Sequence, residues 1–192
     1  GMRDTAIPSG TSWLPLERIE GASVVPGDLR WIEATRVAFE RARKEGIWTV
    51  LDADLGAREA LPELLRLADY AIFSAPALRE LSRAEADDTR LDEVLALGPR
   101  HAGVTLGRGG YRWREASGTH GHEPGFAVDV VDTTGAGDAF HGAFALFLAE
   151  GKPISECARA ACAVAALKCT HLGSRTGLPK RSDLETFLAR RN

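Results

Sequence analysis

Cysteine is scarce in this sequence: Cys157, Cys162 and Cys169 are the three in 192 residues, and no C-x-x-C pair occurs. An odd, unpaired set excludes a disulfide framework and a zinc ribbon, and it fits reduced thiols in a cytoplasmic protein. Long apolar runs are missing as well. None approaches the roughly 20 residues of a membrane span, so no membrane partner is expected. The polar opening, with Pro8 and Pro15, has no signal-peptide pattern. Basic excess is absent, since 24 Lys and Arg face 27 Asp and Glu for a net charge of -3. That excludes the electrostatic footprint of a nucleic-acid binder. Two phosphate-binding patterns are lacking too. No G-x-x-x-x-G-K-[ST] occurs, and no G-x-G-x-x-G opens a helix, which argues against P-loop NTPases and dinucleotide oxidoreductases.

What is present suits one α/β domain over residues 1–192, with 44% hydrophobic residues to build its core. Gly1-Met2 reads as a tag remnant before a start methionine, or as an internal methionine of a longer chain. Apolar runs at 22–26, 47–54, 70–74, 102–107 and 126–132 predict strands, and 110–115 predicts a strand pairing back after a tight turn. Helical spacing predicts helices over 28–46, 57–68, from 75 onward, and over 135–150, 155–169 and 182–190. Asp28 is read as an N-cap and Gly46 as a C-terminal stop. Residues 118–125, with His120 and His122, are read as a loop. Alternating strands and helices, with continuous rather than alternating apolar strands, predict a mostly parallel sheet covered on both faces.

Ligands of such sheets bind at the carboxyl ends of the strands. Three of those ends carry unusual residues: Asp52 and Asp54, the run Gly107-Arg108-Gly109-Gly110, and "VVDTTGAGDAF" at 130–140. In the last, a glycine-rich turn enters a helix. Its backbone N–H groups and the helix dipole together suit a phosphate, or a phosphoryl group in flight. A side chain at Gly135 or Gly137 would block the anion's approach. Asp138 sits among the same amides, placed to take a proton from an attacking hydroxyl. Phosphoryl transfer needs this combination of positioning, charge stabilisation and base. The plain alternative is that Asp138 only caps the helix.

"DTTGAGDAF" resembles the signature of the ribokinase-like (PfkB) carbohydrate kinases, and "VTLGRGG" resembles their nucleotide segment one strand earlier. The resemblance runs from about residue 22 to the end. It implies a three-layer ribokinase-like sandwich and ATP-dependent phosphorylation of a sugar's primary hydroxyl. It further implies Asp138 as catalytic base and the amides of Gly135, Ala136, Gly137 and Asp138 as anion hole. Thr105, Gly107 and Gly110 would approach ATP, with the Gly173–Gly177 loop, including Arg175, beside the nucleotide. Asp132 and the backbone of Thr134 would help hold a monovalent cation such as K⁺. The tail "ALKCTHLGSRTGLP" (166–179) resembles the ketohexokinase and sulfofructose-kinase side of the family.

Two departures from the family pattern stand out. "SAPA" (74–77) lacks the Asn and Glu of the segment that organises Mg²⁺, and "LDADL" (51–55) stands where many relatives have Asp-x-Asn. Mg²⁺ is expected with the ATP, its ligands unknown, and Asp52 or Asp54 would reach it through water. The chain also lacks the N-terminal strands, small lid and most sugar-contacting residues of the family, which implies a bare sheet edge and self-association into a homo-oligomer. A non-catalytic nucleotide-binding or assembly module is the alternative. His101, His120, His122, His141 and His171 show no metal-ligand spacing, and His141 is read as packed. Arg108 reads equally as a phosphate contact or a solvated turn residue. Phe140, Phe144, Phe147 and Leu148 form a core-facing stripe.

Overall fold

Four apolar runs become the parallel part of the sheet: β1 (Val24–Asp28), β2 (Trp48–Ala53), β3 (Tyr70–Ser74) and β4 (His101–Thr105). β5 (Tyr111–Glu115) and β6 (His120–Glu123) then pair antiparallel. These strands belong to a computed structural model that describes residues 10–56 and 58–191. Their spatial order is β1-β2-β3-β4-β5-β6, the same as their order in the chain.

That order decides where the helices go. Right-handed connections that step always in one direction place every crossover helix on one face. Those helices are α1 (Ile32–Lys44), α2 (Leu61–Leu67), α3 (Ala75–Leu81) and α4 (Asp87–Leu95). They bury Phe39, Leu64, Leu65, Leu78, Leu91 and Val94 against Leu51, Ala53, Ala71 and Phe73 of the sheet. The intervening strand residues Val50, Tyr70 and Ile72 point to the other face, which explains why the strands read as continuous apolar runs. That face needs its own cover. It comes from α5 (Ala136–Ala149) and α6 (Ile154–Cys169), with α7 (Arg181–Ala189) packed on α6. Phe140, Phe144 and Leu148 of the expected stripe are buried there, and Phe147 is half-buried.

Three expectations are corrected. Residues 118–125 are not a loop, since β6 forms within them and pairs with β5 in the register Tyr111 to Glu123. Backbone pairing makes this strand, not apolar side chains, and "HGHE" gave no apolar signal for it. The run at 126–132 is not a strand. Its backbone leaves the sheet after Pro124, and Val131 and Asp132 donate their N–H groups to the Cys169 carbonyl. Phe126 and Val128 pack instead on the cluster holding Leu184 and Phe187. Asp28 is not an N-cap. It ends β1, and α1 starts four residues later with Trp31 as its N-cap. Helix α4 was not expected, and α2 starts at Leu61, later than its expected start at Ala57, which lies outside the described residues, as do Gly1 and Met2.

Candidate active site

Gly135 begins the site. It is the N-cap of α5 with φ 76°, a left-handed conformation open to glycine, and a Cβ there would stand 2.8 Å from Ser174. Asp132 braces the turn before it. Its Oδ1 accepts the Thr134 N–H at 2.9 Å and its Oδ2 accepts the Gly173 N–H at 2.8 Å. These bonds, from Thr134 first and Gly173 after it, hold the Asp132 carboxyl down at about 2. The fully buried Lys168 donates to the Asp132 carbonyl at 2.7 Å.

The helix start leaves donors free. The Ala136 N–H goes to the Thr133 carbonyl at 3.1 Å. The amides of Gly137 and Asp138 donate to no backbone carbonyl in a turn or loop among the described residues. A Cβ on Gly137 would meet nothing within 4 Å, so the space beside it is open for a ligand. The exposed Asp138 lies in the first turn of α5, and no side-chain hydrogen bond caps this helix.

Asp138, Gly135, Ala136 and Gly137 face a cleft of about 490 Å³. The carboxyl ends of all four parallel strands form its other walls, through Asp28, Asp52 with Asp54, Ser74 and Thr105. This is where a ligand of such a sheet is expected. The Ser74 hydroxyl donates to Asp54 Oδ1 at 2.8 Å. Burial pushes the Asp52 carboxyl up; His141 opposes this, and Asp54, Asp138 and Asp28 add to it. The strand-end rule could have brought Asp28 into the site, had it not been read as a cap.

A second groove of about 420 Å³ adjoins the first and shares Thr105, Thr133, Ala136 and Gly137 with it. Gly107, Arg108 and Gly110 line one side, while Phe126, Val128, Ala165 and Ala166 supply apolar walls. Its apolar walls lead to the start of α5 at Ala136 and Gly137. Gly110 is also required by the fold, because a Cβ there would lie 2.0 Å from the Glu123 carbonyl. His122 holds the same turn through a 2.7 Å contact to the Gly109 carbonyl. Gly173 and Arg175 are not brought to this groove. Gly173 braces Asp132, and Arg175 lines a third cavity of about 400 Å³ with Gly135 and Asp138.

The model of the pfkB family carbohydrate kinases matches residues 16–181. The chain belongs to that family. It is 37% identical to the ribokinase of Bacillus subtilis over 135 residues, 70% of this chain and 45% of the relative. It is 33% identical to the aminoimidazole riboside kinase of Salmonella typhimurium over 171 residues, 82% of this chain and 53% of the relative. Among solved structures, Arabidopsis thaliana ribokinase complexed with ribose and ATP superimposes with a TM-score of 0.84 at 27% identity, over 96% of this chain and 61% of that one. Aminoimidazole riboside kinase from Salmonella enterica, complexed with aminoimidazole riboside and an ATP analog, gives 0.76 at 31% identity, over 86% and 62%. The chain spans about half the length of the curated relatives it matches. These relatives are ribokinases and riboside kinases, so the likeness of the 166–179 tail to the ketohexokinase side stands as an expectation.

Proposed function

We propose that this chain is the nucleotide-binding and phosphoryl-transfer part of a sugar kinase, acting on a primary hydroxyl. The observation that carries the reading is the junction of the two clefts. Asp138 and the free amides of the helix start face the polar cleft, and Gly137 is shared with the apolar groove. ATP lies in the groove with its phosphates toward the start of α5. Asp138 takes the sugar hydroxyl's proton as that oxygen bonds to the γ-phosphorus, the bond to the β-phosphate oxygen breaks, and ADP leaves. The Gly135, Gly137 and Asp138 amides hold the charge on the transferring group. Ala136 contributes through its place in the turn, since its own N–H is engaged.

Mg²⁺ belongs with the phosphates of the nucleotide, where it neutralises their charge. Mg²⁺ keeps several waters and takes only one or two carboxylates beside the phosphates, so Asp52 or Asp54 in the cleft wall would reach it through water. A K⁺ ion would be held by Asp132 and the Thr134 carbonyl. Each Asp132 carboxylate oxygen accepts one amide and keeps a lone pair for a cation. No helix among the described residues is long and apolar enough to cross a membrane. The open edge of β1, paired only with β2 among the described strands, supports self-association. No observation favours the non-catalytic module.

The test is calorimetry of the purified protein with ATP and ADP, joined to an ADP-release assay over pentoses, hexoses and ribosides on the full natural gene product. Sugar-dependent ADP release supports the reading. A folded protein that binds no adenine nucleotide at millimolar concentration overturns it.

A further inference from the structure

His141 is buried in the wall of the polar cleft, and no step of the transfer above uses it. Its Nδ1 lies 2.8 Å from the Gly137 carbonyl oxygen and 3.4 Å from Asp52 Oδ2, while Nε2 lies 3.4 Å from the Ile72 carbonyl. All three neighbours are acceptors, so Nδ1 carries a proton and donates. The shortest contact matters most. The Gly137 carbonyl and the Asp138 N–H are opposite ends of one planar peptide unit. Fixing the carbonyl therefore aims the amide. Gly137 lies inside α5, where its carbonyl also accepts the His141 backbone N–H of the helix ladder, and the imidazole adds a second hold on the same oxygen.

We propose that His141 is a positioning residue for phosphoryl transfer. Through the Gly137 carbonyl it orients the Asp138 amide and the start of α5, and through Asp52 it ties them to the end of β2. The inference rests on the sugar-kinase reading for its catalytic consequence, though not for its geometry.

Three variants of the full gene product test it, with folding checked by circular dichroism. His141→Asn keeps a donor near the Nδ1 position. His141→Leu removes all donors. His141→Gln keeps volume and polarity but moves the donor toward the Nε2 position. Leu and Gln should lower kcat by roughly 10²-fold, the scale of a misplaced reacting group. The KM for ATP should stay within about threefold, and Asn should restore most of the lost rate. If Leu does not fold, Gln carries the comparison. A kcat within about twofold of the parent in the Leu or Gln variant overturns the inference, as does Asn falling as far as Leu. If the parent shows no sugar-dependent turnover, the kinase reading fails, and the Asp138 amide resonance then decides. A shift in the Leu or Gln variant that Asn reverses supports positioning, and an unmoved resonance overturns it.

Discussion

The carboxylate of Asp132 accepts the N–H of Gly173 at 2.8 Å across 41 residues of chain. One side chain thus closes the loop before α5 onto the loop after α6. Its other oxygen holds Thr134, so the start of the candidate anion hole and the C-terminal loop share a single brace.

The brace has a pH signature. The Asp132 carboxyl falls from 3.8 to about 2 on folding. A depressed carboxyl contributes stability that is present above its unfolded value and is lost as pH falls through its folded value. Asp132→Asn should therefore melt below the parent at pH 7. The gap should close as pH drops from about 4 toward about 2. Thermal melts of both proteins across that range check it, and a gap independent of pH would assign the effect to shape, not charge.

Asp138→Asn keeps the side chain's size but cannot accept the hydroxyl proton. Turnover should fall by roughly 10²–10⁴-fold, the usual loss for a general base. Nucleotide affinity should change little, because the amides stay. Gly137→Val should harm both, since its branched side chain enters the open space beside the helix start. Steady-state kinetics with parallel calorimetry separates the two patterns. An Asn variant within a few-fold of the parent removes Asp138 from the base role.

His101 stays neutral well below the pH at which an exposed histidine takes up its proton. It is fully buried, its Nε2 lies 2.7 Å from the Tyr111 hydroxyl, and burial lowers its value to about 3. The unfolded chain takes up a proton below about 6.5 that the folded chain refuses. Stability is therefore lost as pH falls from about 6.5 toward about 3. By pH 5 the loss from this residue is about 2 kcal/mol, from roughly 1.5 pK units at 1.36 kcal/mol each. His101→Gln keeps a donor toward Tyr111 without the titration. It should flatten the dependence of urea unfolding on pH between 7 and 5. An unchanged slope would clear His101 of the effect.

Self-association should be visible by sedimentation velocity, with the open edge of β1 as its seat. Pro26→Lys places a charge at an exposed position of that strand and should shift the population toward monomer. A parent that sediments as a monomer at all concentrations contradicts the expectation.

Much of this was legible in the sequence because the signals are local. The apolar runs of β1 to β4 are paired by their chain neighbours, and the glycines of 135–137 mark a turn by themselves. What escaped is non-local. β6 exists because β5 presents an edge to it. The run at 126–132 has strand composition, but its backbone bonds to Cys169 on α6. Gly103 reads as an ordinary weak point of a strand, yet a Cβ there would lie 1.9 Å from the Tyr111 hydroxyl, eight positions on. At the site, the two loops could be read, but the contact of His141 with Asp52 joins residues 89 positions apart in the chain.

The identical order of strands in space and in chain also sets a timetable for synthesis. Each parallel strand finds its partner already emerged from the ribosome, so β1 to β4 and their four helices can assemble as they appear. The opposite face must wait for α5 and α6. Between Thr105 and Cys169 lie roughly 60 residues, on the order of 3–12 s of translation at ordinary rates. For those seconds Val50, Tyr70 and Ile72 face solvent as a bare apolar plane. The nascent chain is most open to chaperones, or to other copies of itself, before α5 and α6 exist.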